Sequence, residues 1–504
     1  MSGRAVWTAC TVLLVSLLAL TSRGATRRAS PKPPSPLNTL VSTMMAVGPG
    51  SEERYESALS AFLSSENPGQ QLTSSFDALP DNALGSKWSL LYLASKTPVP
   101  ESVSLLERVA LSAPRFVHPS KGEGGDVTYT NRLTSAIGVV QLYLAGQPDA
   151  APSMTRLLKD AEPELARMMA LELFSANRLT KDEQQLLLSR GVDARFRKAT
   201  EAEFEALVSV DPEHTRHLDD GQVTRAETYG PAPSINSVQA TLLPVDPPPP
   251  PPPPPAQPSG ACGRAATSEF DSFYAPLWGC SQSEINDMWG KYHFDNDDWD
   301  EGLGYDDPCN ENLPLKRTFN ALQLLKYGIT ASPTCDTTSA NVGQWAYCWA
   351  GDSIDELDGT CDDDARAWTT WAPFVDHRTE LEVPFFYDET VVQRAATVFH
   401  EARHAQGWCV HSDSCVDGEG SCDPNWAHGC VGIGSVGGKG ANAYTVLYMT
   451  WFLRAARSSW TSEPLRDFAV GEANRYLAQR FGSDPCFRVN PDGTYAYLPC
   501  YFGF

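Results

Sequence analysis

Apolar residues return every three to four positions along 53–64, 87–95, 100–111, 131–144, 163–176 and 182–189. That period predicts a run of short amphipathic helices. Proline, glycine and aspartate punctuate them, as in Gly146-Gln147-Pro148-Asp149, so successive helices are expected to fold back as pairs. Further on, the pattern changes. Leu381, Val383 and Phe385 alternate with polar or small neighbours over 380–386 and predict a strand, and Pro384 is expected to place it at a sheet edge. A helix is predicted next, with Asp388 as N-cap, Glu389 in its first turn, and Val391, Val392, Ala395, Ala396, Val398 and Phe399 as its buried face. Gly407 offers its stop. A strongly apolar helix is expected over 443–456. The fold expected is multidomain: an all-α, helical-repeat (α-solenoid-like) first part and an α+β, disulfide-rich second part.

Composition sharpens the boundary. Pro247 to Pro255 is unbroken proline, an extended rod that belongs to no core. The expected order is a signal peptide over 1–25, a helical domain over 26–240, a linker over 241–259 and a second domain over 260–504. The signal reading rests on Arg4, an apolar run from Ala9 to Leu20, and small residues at Ser22, Gly24 and Ala25. That run is short for a membrane span, and no transmembrane segment is expected in the mature chain. The protein is thus expected to be secreted, periplasmic or at the cell surface.

Cysteine usage agrees with export. Cys10 lies in the presumed signal, and the other twelve fall in the second part: Cys262, Cys280, Cys309, Cys335, Cys348, Cys361, Cys409, Cys415, Cys422, Cys430, Cys486 and Cys500. An even set with no C-x-x-C pair reads as up to six disulfides of unknown pairing. The net charge of −23 excludes nucleic acid as a partner. Eleven of the thirteen tryptophans lie beyond the proline rod, where core packing is preferred over a carbohydrate-binding platform.

The candidate chemistry is His400-Glu401-Ala402-Arg403-His404. Residues four apart leave one face of a helix a turn from each other, so both imidazoles can hold one metal ion. Zinc accepts two neutral imidazoles and keeps room for a further ligand and for water. Glu401, beside His400, is placed to take a proton from that water. Gly437-Gly438-Lys439-Gly440 lacks a phosphate-binding pattern and is read as an active-site rim. His377 and His428 are read as ordinary polar residues. The acidic stretches 295–301 and 352–364 miss the twelve-residue calcium loop and are read as solvated, with structural Ca2+ left open.

The run from Leu381 through Phe385-Phe386 to His404 resembles the zincin metallopeptidases. The paired phenylalanines are similar to deuterolysin-like aspzincins, and Gly407 is similar to metzincins. The helical first part loosely resembles HEAT repeats. The zincin resemblance implies His400 and His404 as Zn2+ ligands, one ion per chain, and Glu401 as catalytic base. It also implies a cleft above the helix and cleavage of peptide bonds, by an endopeptidase rather than an exopeptidase. The third ligand departs from every pattern. A metzincin would place histidine where Val410 stands, and His411 follows it; an aspzincin pattern favours Asp413; a gluzincin would use a distant glutamate such as Glu472. His411 is preferred and Asp413 is the alternative. Tyr444 is a candidate oxyanion donor by the same resemblance, against simple core packing.

Two other classes stay open: a disulfide-rich extracellular binding or adhesion module without catalysis, and a zinc hydrolase of a non-peptide amide. The helical part is a propeptide, a spacer or a module for a protein partner.

Overall fold

The computed structural model describes residues 35–113, 129–192, 280–299, 301–330, 342–363, 365–369, 378–405, 441–455 and 461–480. It also describes 487–489, 495–497 and shorter pieces at 194, 196, 231–235, 261–263, 270–273, 333 and 335. The signal region, the proline rod and the 406–440 loop, with Gly407, His411, Asp413, His428, the glycine run and Cys409, Cys415, Cys422 and Cys430, lie outside the described residues. So do Cys10, His377, Cys486 and Cys500.

Nine helices occupy the described part of the first half: α1 Pro36–Val41, α2 Ser51–Leu63, α3 Pro68–Ala78, α4 Leu84–Ser95, α5 Pro100–Ala110, α6 Tyr129–Leu144, α7 Ala150–Asp160, α8 Pro163–Ser175 and α9 Lys181–Ser189. Proline opens α3, α5 and α8, where its missing N–H costs nothing. Thr180 and Glu183 form a reciprocal capping box on α9. Helices α1, α3 and α7 were not anticipated.

The second half contributes α10 Gln282–Lys291, α11 Pro314–Tyr327, α12 Val342–Ser353, β1 Glu356–Gly359, β2 Ala367–Thr369, β3 Arg378–Leu381 and α13 Val383–Tyr387. It continues with α14 Val391–Ala405, α15 Ala441–Ala455, α16 Glu463–Arg480, β4 Phe487–Val489 and β5 Tyr495–Tyr497. The described residues are thus mostly helical, with a small three-stranded sheet in order β1-β3-β2 and a separate β4-β5 pair. None of the described helices is long and apolar enough to cross a membrane.

Two local expectations are corrected. The strand foreseen over 380–386 ends at Leu381, and Pro384 sits in the first turn of α13, where proline's fixed φ suits a helix start. That strand, β3, is central; it pairs parallel with β1 and antiparallel with β2. The edge beside the histidine helix is therefore β2. Asp388 closes α13 and does not open α14. Thr390 does that: its N–H donates to Gln393 Oε1 at 2.8 Å, and Gln393 N–H donates to Thr390 Oγ1 at 3.2 Å, a reciprocal cap. Glu389 precedes the helix.

Helix α14 runs through the middle of the second half, packed by α11, α12 and α15. Val391, Val392, Ala395, Ala396, Val398, Phe399 and Ala402 are all fully buried, so apolar burial surrounds it on several sides. Arg394, also buried, donates to Phe273 O at 2.6 Å, and Arg317 donates to Phe386 O at 2.7 Å. Each guanidinium thereby satisfies a backbone carbonyl that burial removes from water. Burial beside Arg317 pushes the Arg394 guanidinium down to about 9.

The first-half helices touch the second half through α16. Tyr92 Oη donates to Asp467 at 2.8 Å, Lys96 pairs with Glu463 at 2.8 Å, and Arg466 pairs with Glu52 at 3.0 Å. Beneath these, Trp88 meets Phe273 and Phe468 at ring-centroid distances of 5.6 and 5.0 Å.

Three disulfides join described cysteines: Cys262–Cys361, Cys280–Cys309 and Cys335–Cys348. Trp289, Trp299, Trp345 and Trp349 are buried in the core, as the packing reading expected, whereas Trp368 is 57% exposed.

Candidate metal centre

The last turns of α14 place His400 and His404 on one face, as their spacing requires. His404 Nε2 lies 3.1 Å from His400 Nε2. Two ligands about 2.05 Å from a common zinc ion at the tetrahedral angle lie about 3.3 Å apart. The observed separation fits that requirement closely. Nitrogens this near each other need a proton or a cation between them, because two lone pairs repel.

His400 is oriented from behind. Its Nδ1 sits 2.9 Å from Thr445 Oγ1, and that hydroxyl also donates to Ala441 O at 3.4 Å. With the hydroxyl proton so engaged, Nδ1–H donates to Thr445, and the Nε2 lone pair turns toward His404. This tautomer is the one a metal ligand needs.

Glu401 Oε1 is 3.9 Å from His400 Nε2. Its other oxygen, Oε2, accepts from Thr369 Oγ1 at 2.7 Å, and Thr369 lies 2.9 Å from Thr379 Oγ1. Thr369 and Thr379 are register partners on β2 and β3, so both hydroxyls stand on the sheet face that backs α14. Ligand atoms of His400, Glu401 and His404 all fall within 4.8 Å of one another. His400 and Glu401 are buried and His404 is half-buried, so the cluster opens on the His404 side.

The remaining candidates divide. His411 and Asp413 lie outside the described residues. Glu472 accepts from Gln393 Nε2 at 2.7 Å and from Thr130 Oγ1 at 3.3 Å. Gln393 is seven residues before His400, about 10 Å along the helix, which keeps Glu472 out of the histidine pair's reach. Tyr444 is fully buried; its ring stacks on Trp349 at 5.4 Å and lies 5.6 Å from Phe399. Arg403 stands over the other side, its guanidinium 4.6 Å from the ring centre. The ring thus packs among Trp349, Phe399 and Arg403.

Thr369, Thr379 and Thr445 were not singled out by sequence. No local pattern marks them, since each reaches the site from a separate element. Glu389 is a further surprise: it is buried, accepts from Thr397 Oγ1 at 3.1 Å and pairs with Arg366 at 3.1 Å. Burial pushes its carboxyl up to about 7 against the pull of Arg366.

The chain matches no family profile, no curated protein and no solved structure.

Proposed function

We propose that the protein is a secreted zinc-dependent hydrolase that cleaves peptide bonds, with His400 and His404 holding the ion and Glu401 moving the proton. The 3.1 Å approach of the two Nε2 atoms carries this reading. When bound, zinc acidifies water and polarises a carbonyl. Glu401 Oε1, turned toward the histidine pair, takes up a proton there and returns it to the leaving amine. Thr369 holds the opposite oxygen, which orients the carboxylate toward the histidine pair. His411 is the third ligand in this reading, with Asp413 in its place as the alternative.

Substrate binds along β2. This strand is three residues long, pairs with β3 on one side, and carries Thr369 against the catalytic carboxylate. An extended peptide adding to its other edge passes beside Glu401, which favours endopeptidase action. The signal over 1–25, the repeat-like character of the helical part, and its service to a protein partner belong to the same proposal.

Metal analysis and peptide hydrolysis on the full mature chain test it. Wild type is expected to hold about one zinc per chain. Glu401→Gln is expected to keep that zinc and lose about 100-fold or more in kcat. Wild type without zinc, or a fully active Glu401→Gln, overturns the reading.

A further inference from the structure

The strand that holds Glu401 is itself held at its other end. Arg366 stands immediately before β2, and its carbonyl accepts from Glu382 N–H at 3.0 Å. Ala365 N–H donates to Glu382 Oε2 at 2.5 Å, so the backbone entering β2 is tied to the end of β3. The Arg366 guanidinium makes a further link, to Glu389 Oε1 at 3.1 Å. Glu389 lies between α13 and α14 and also accepts from Thr397 Oγ1 at 3.1 Å. Thr397 is one helical turn before Glu401. Strand β2 therefore meets α14 twice, at Thr369–Glu401 and at Arg366–Glu389–Thr397.

The second link joins unequal partners. Glu389's side chain is 2% exposed and Arg366's is 27% exposed. The charged groups facing Glu389 are Arg366 from the segment before β2, Arg394 from α14 and Glu472 from α16. Burial and the like charge of Glu472 favour the neutral carboxyl, and the two guanidiniums favour the carboxylate, with a balance at about 7. A neutral Glu389 can still accept from Thr397. It loses its attraction for Arg366, whose partly exposed side chain can then turn to water.

We propose that Glu389 is a positioning residue that, when ionised, draws Arg366 onto the start of α14 and so aligns β2 for Thr369 to hold Glu401. Its catalytic consequence rests on the peptidase reading of the histidine pair. Arg366 and Thr369 are three residues apart, about 10 Å along extended chain, so slack at the first reaches the second. The link is made above about pH 7 and released below it.

Hydrogen exchange of the full mature chain, read by mass spectrometry, follows the strand without requiring zinc or turnover. Corrected for intrinsic rates, residues 365–369 are expected to exchange about tenfold faster at pH 6 than at pH 8. Glu389→Gln, neutral throughout, is expected to exchange fast at both. Arg366→Lys keeps the charge and is expected to retain the pH difference, whereas Arg366→Met is expected to lose it. In peptide hydrolysis, kcat of Glu389→Gln is expected to be about tenfold below wild type at pH 8 and within about twofold of it at pH 6. That ratio cancels the titration of Glu401 itself. Exchange in wild type that is equal at the two pH values, or a pH difference that survives in Glu389→Gln or Arg366→Met, overturns the link. The expected exchange with equal kcat in wild type and Glu389→Gln at pH 8 overturns its effect on Glu401. The expected exchange in a wild type without peptide cleavage overturns the peptidase reading and upholds the link.

Discussion

Thr369 holds Glu401: its hydroxyl donates to Oε2 at 2.7 Å from a strand that lies 32 residues earlier in the chain. Removing that donor frees the carboxylate to rotate out of line with the histidine pair. Thr369→Val is expected to lower kcat for peptide hydrolysis by about 10- to 100-fold. Zinc content should stay as in wild type, since neither imidazole touches Thr369. Thr369→Ser restores the hydroxyl and should recover most of the rate, and steady-state kinetics on the three proteins decide the matter.

Thr445 orients His400, so in the proposed zinc site its phenotype should separate from that of Thr369. With Thr445→Val, His400 loses the acceptor that fixes its tautomer. Zinc affinity is expected to fall about 10- to 100-fold, as read by competition with a chelating dye. Rate at saturating zinc should fall less than affinity. A variant with wild-type affinity would show that α15 packs against His400 without orienting it.

These hydroxyls explain which part of the site sequence could reveal. His400, Glu401 and His404 are legible because a helix converts spacing four into one face, a purely local rule. The alternation of Leu381, Val383 and Phe385 misleads for the same reason. It continues past Leu381 although Pro384 is already in a helical turn, and periodicity does not report where a chain bends. Asp388 looked like a cap by residue type, yet Thr390 has the hydroxyl at the right offset from Gln393. Thr369 and Thr445 depend on elements far apart in sequence from the histidine helix, where no pattern of spacing reaches. The helical character of the first half was plain from the apolar period, whereas in the second half only α14 and α15 were expected and α10, α11, α12 and α16 were not. The small sheet escaped notice beyond β3, its strands being three or four residues long.

Glu389 predicts a pH dependence of stability. Its folded-state value, about 7, is raised from the usual 4.5 by burial. The folded protein therefore holds a proton that the unfolded chain releases between those values. The contribution is complete below about pH 4.5 and is lost as pH rises to about 7, on the order of 3 kcal/mol across the window. Glu389→Gln, which stays neutral, is expected to flatten the pH profile of urea unfolding between pH 5 and 7. An unchanged slope would show that Arg366 keeps the carboxylate ionised.

The contacts through α16 predict that the second half is unstable alone. A fragment beginning at residue 260 exposes Phe273 and Phe468, which now cover Trp88, and leaves Asp467 without Tyr92 and Lys96. It is expected to melt at least about 5 °C below the full chain or to bind ANS. Equal melting by circular dichroism would show that residues 260–504 fold independently.

Cys262–Cys361 encloses both other described bridges, which already shorten its loop. Replacing both cysteines by serine is expected to cost about 4 kcal/mol in the chain-entropy account, measured by denaturant unfolding under oxidising conditions.

The three-residue length of β2 has a sharper implication than its pairing. Strand side chains alternate, so sliding β2 by a single position along β3 would present the Trp368 indole, not a hydroxyl, to Glu401. In the proposed hydrolase, catalytic competence then hinges on an alignment that three pairs of residues define. Mutations that loosen this alignment should yield folded protein with an intact histidine pair and no turnover.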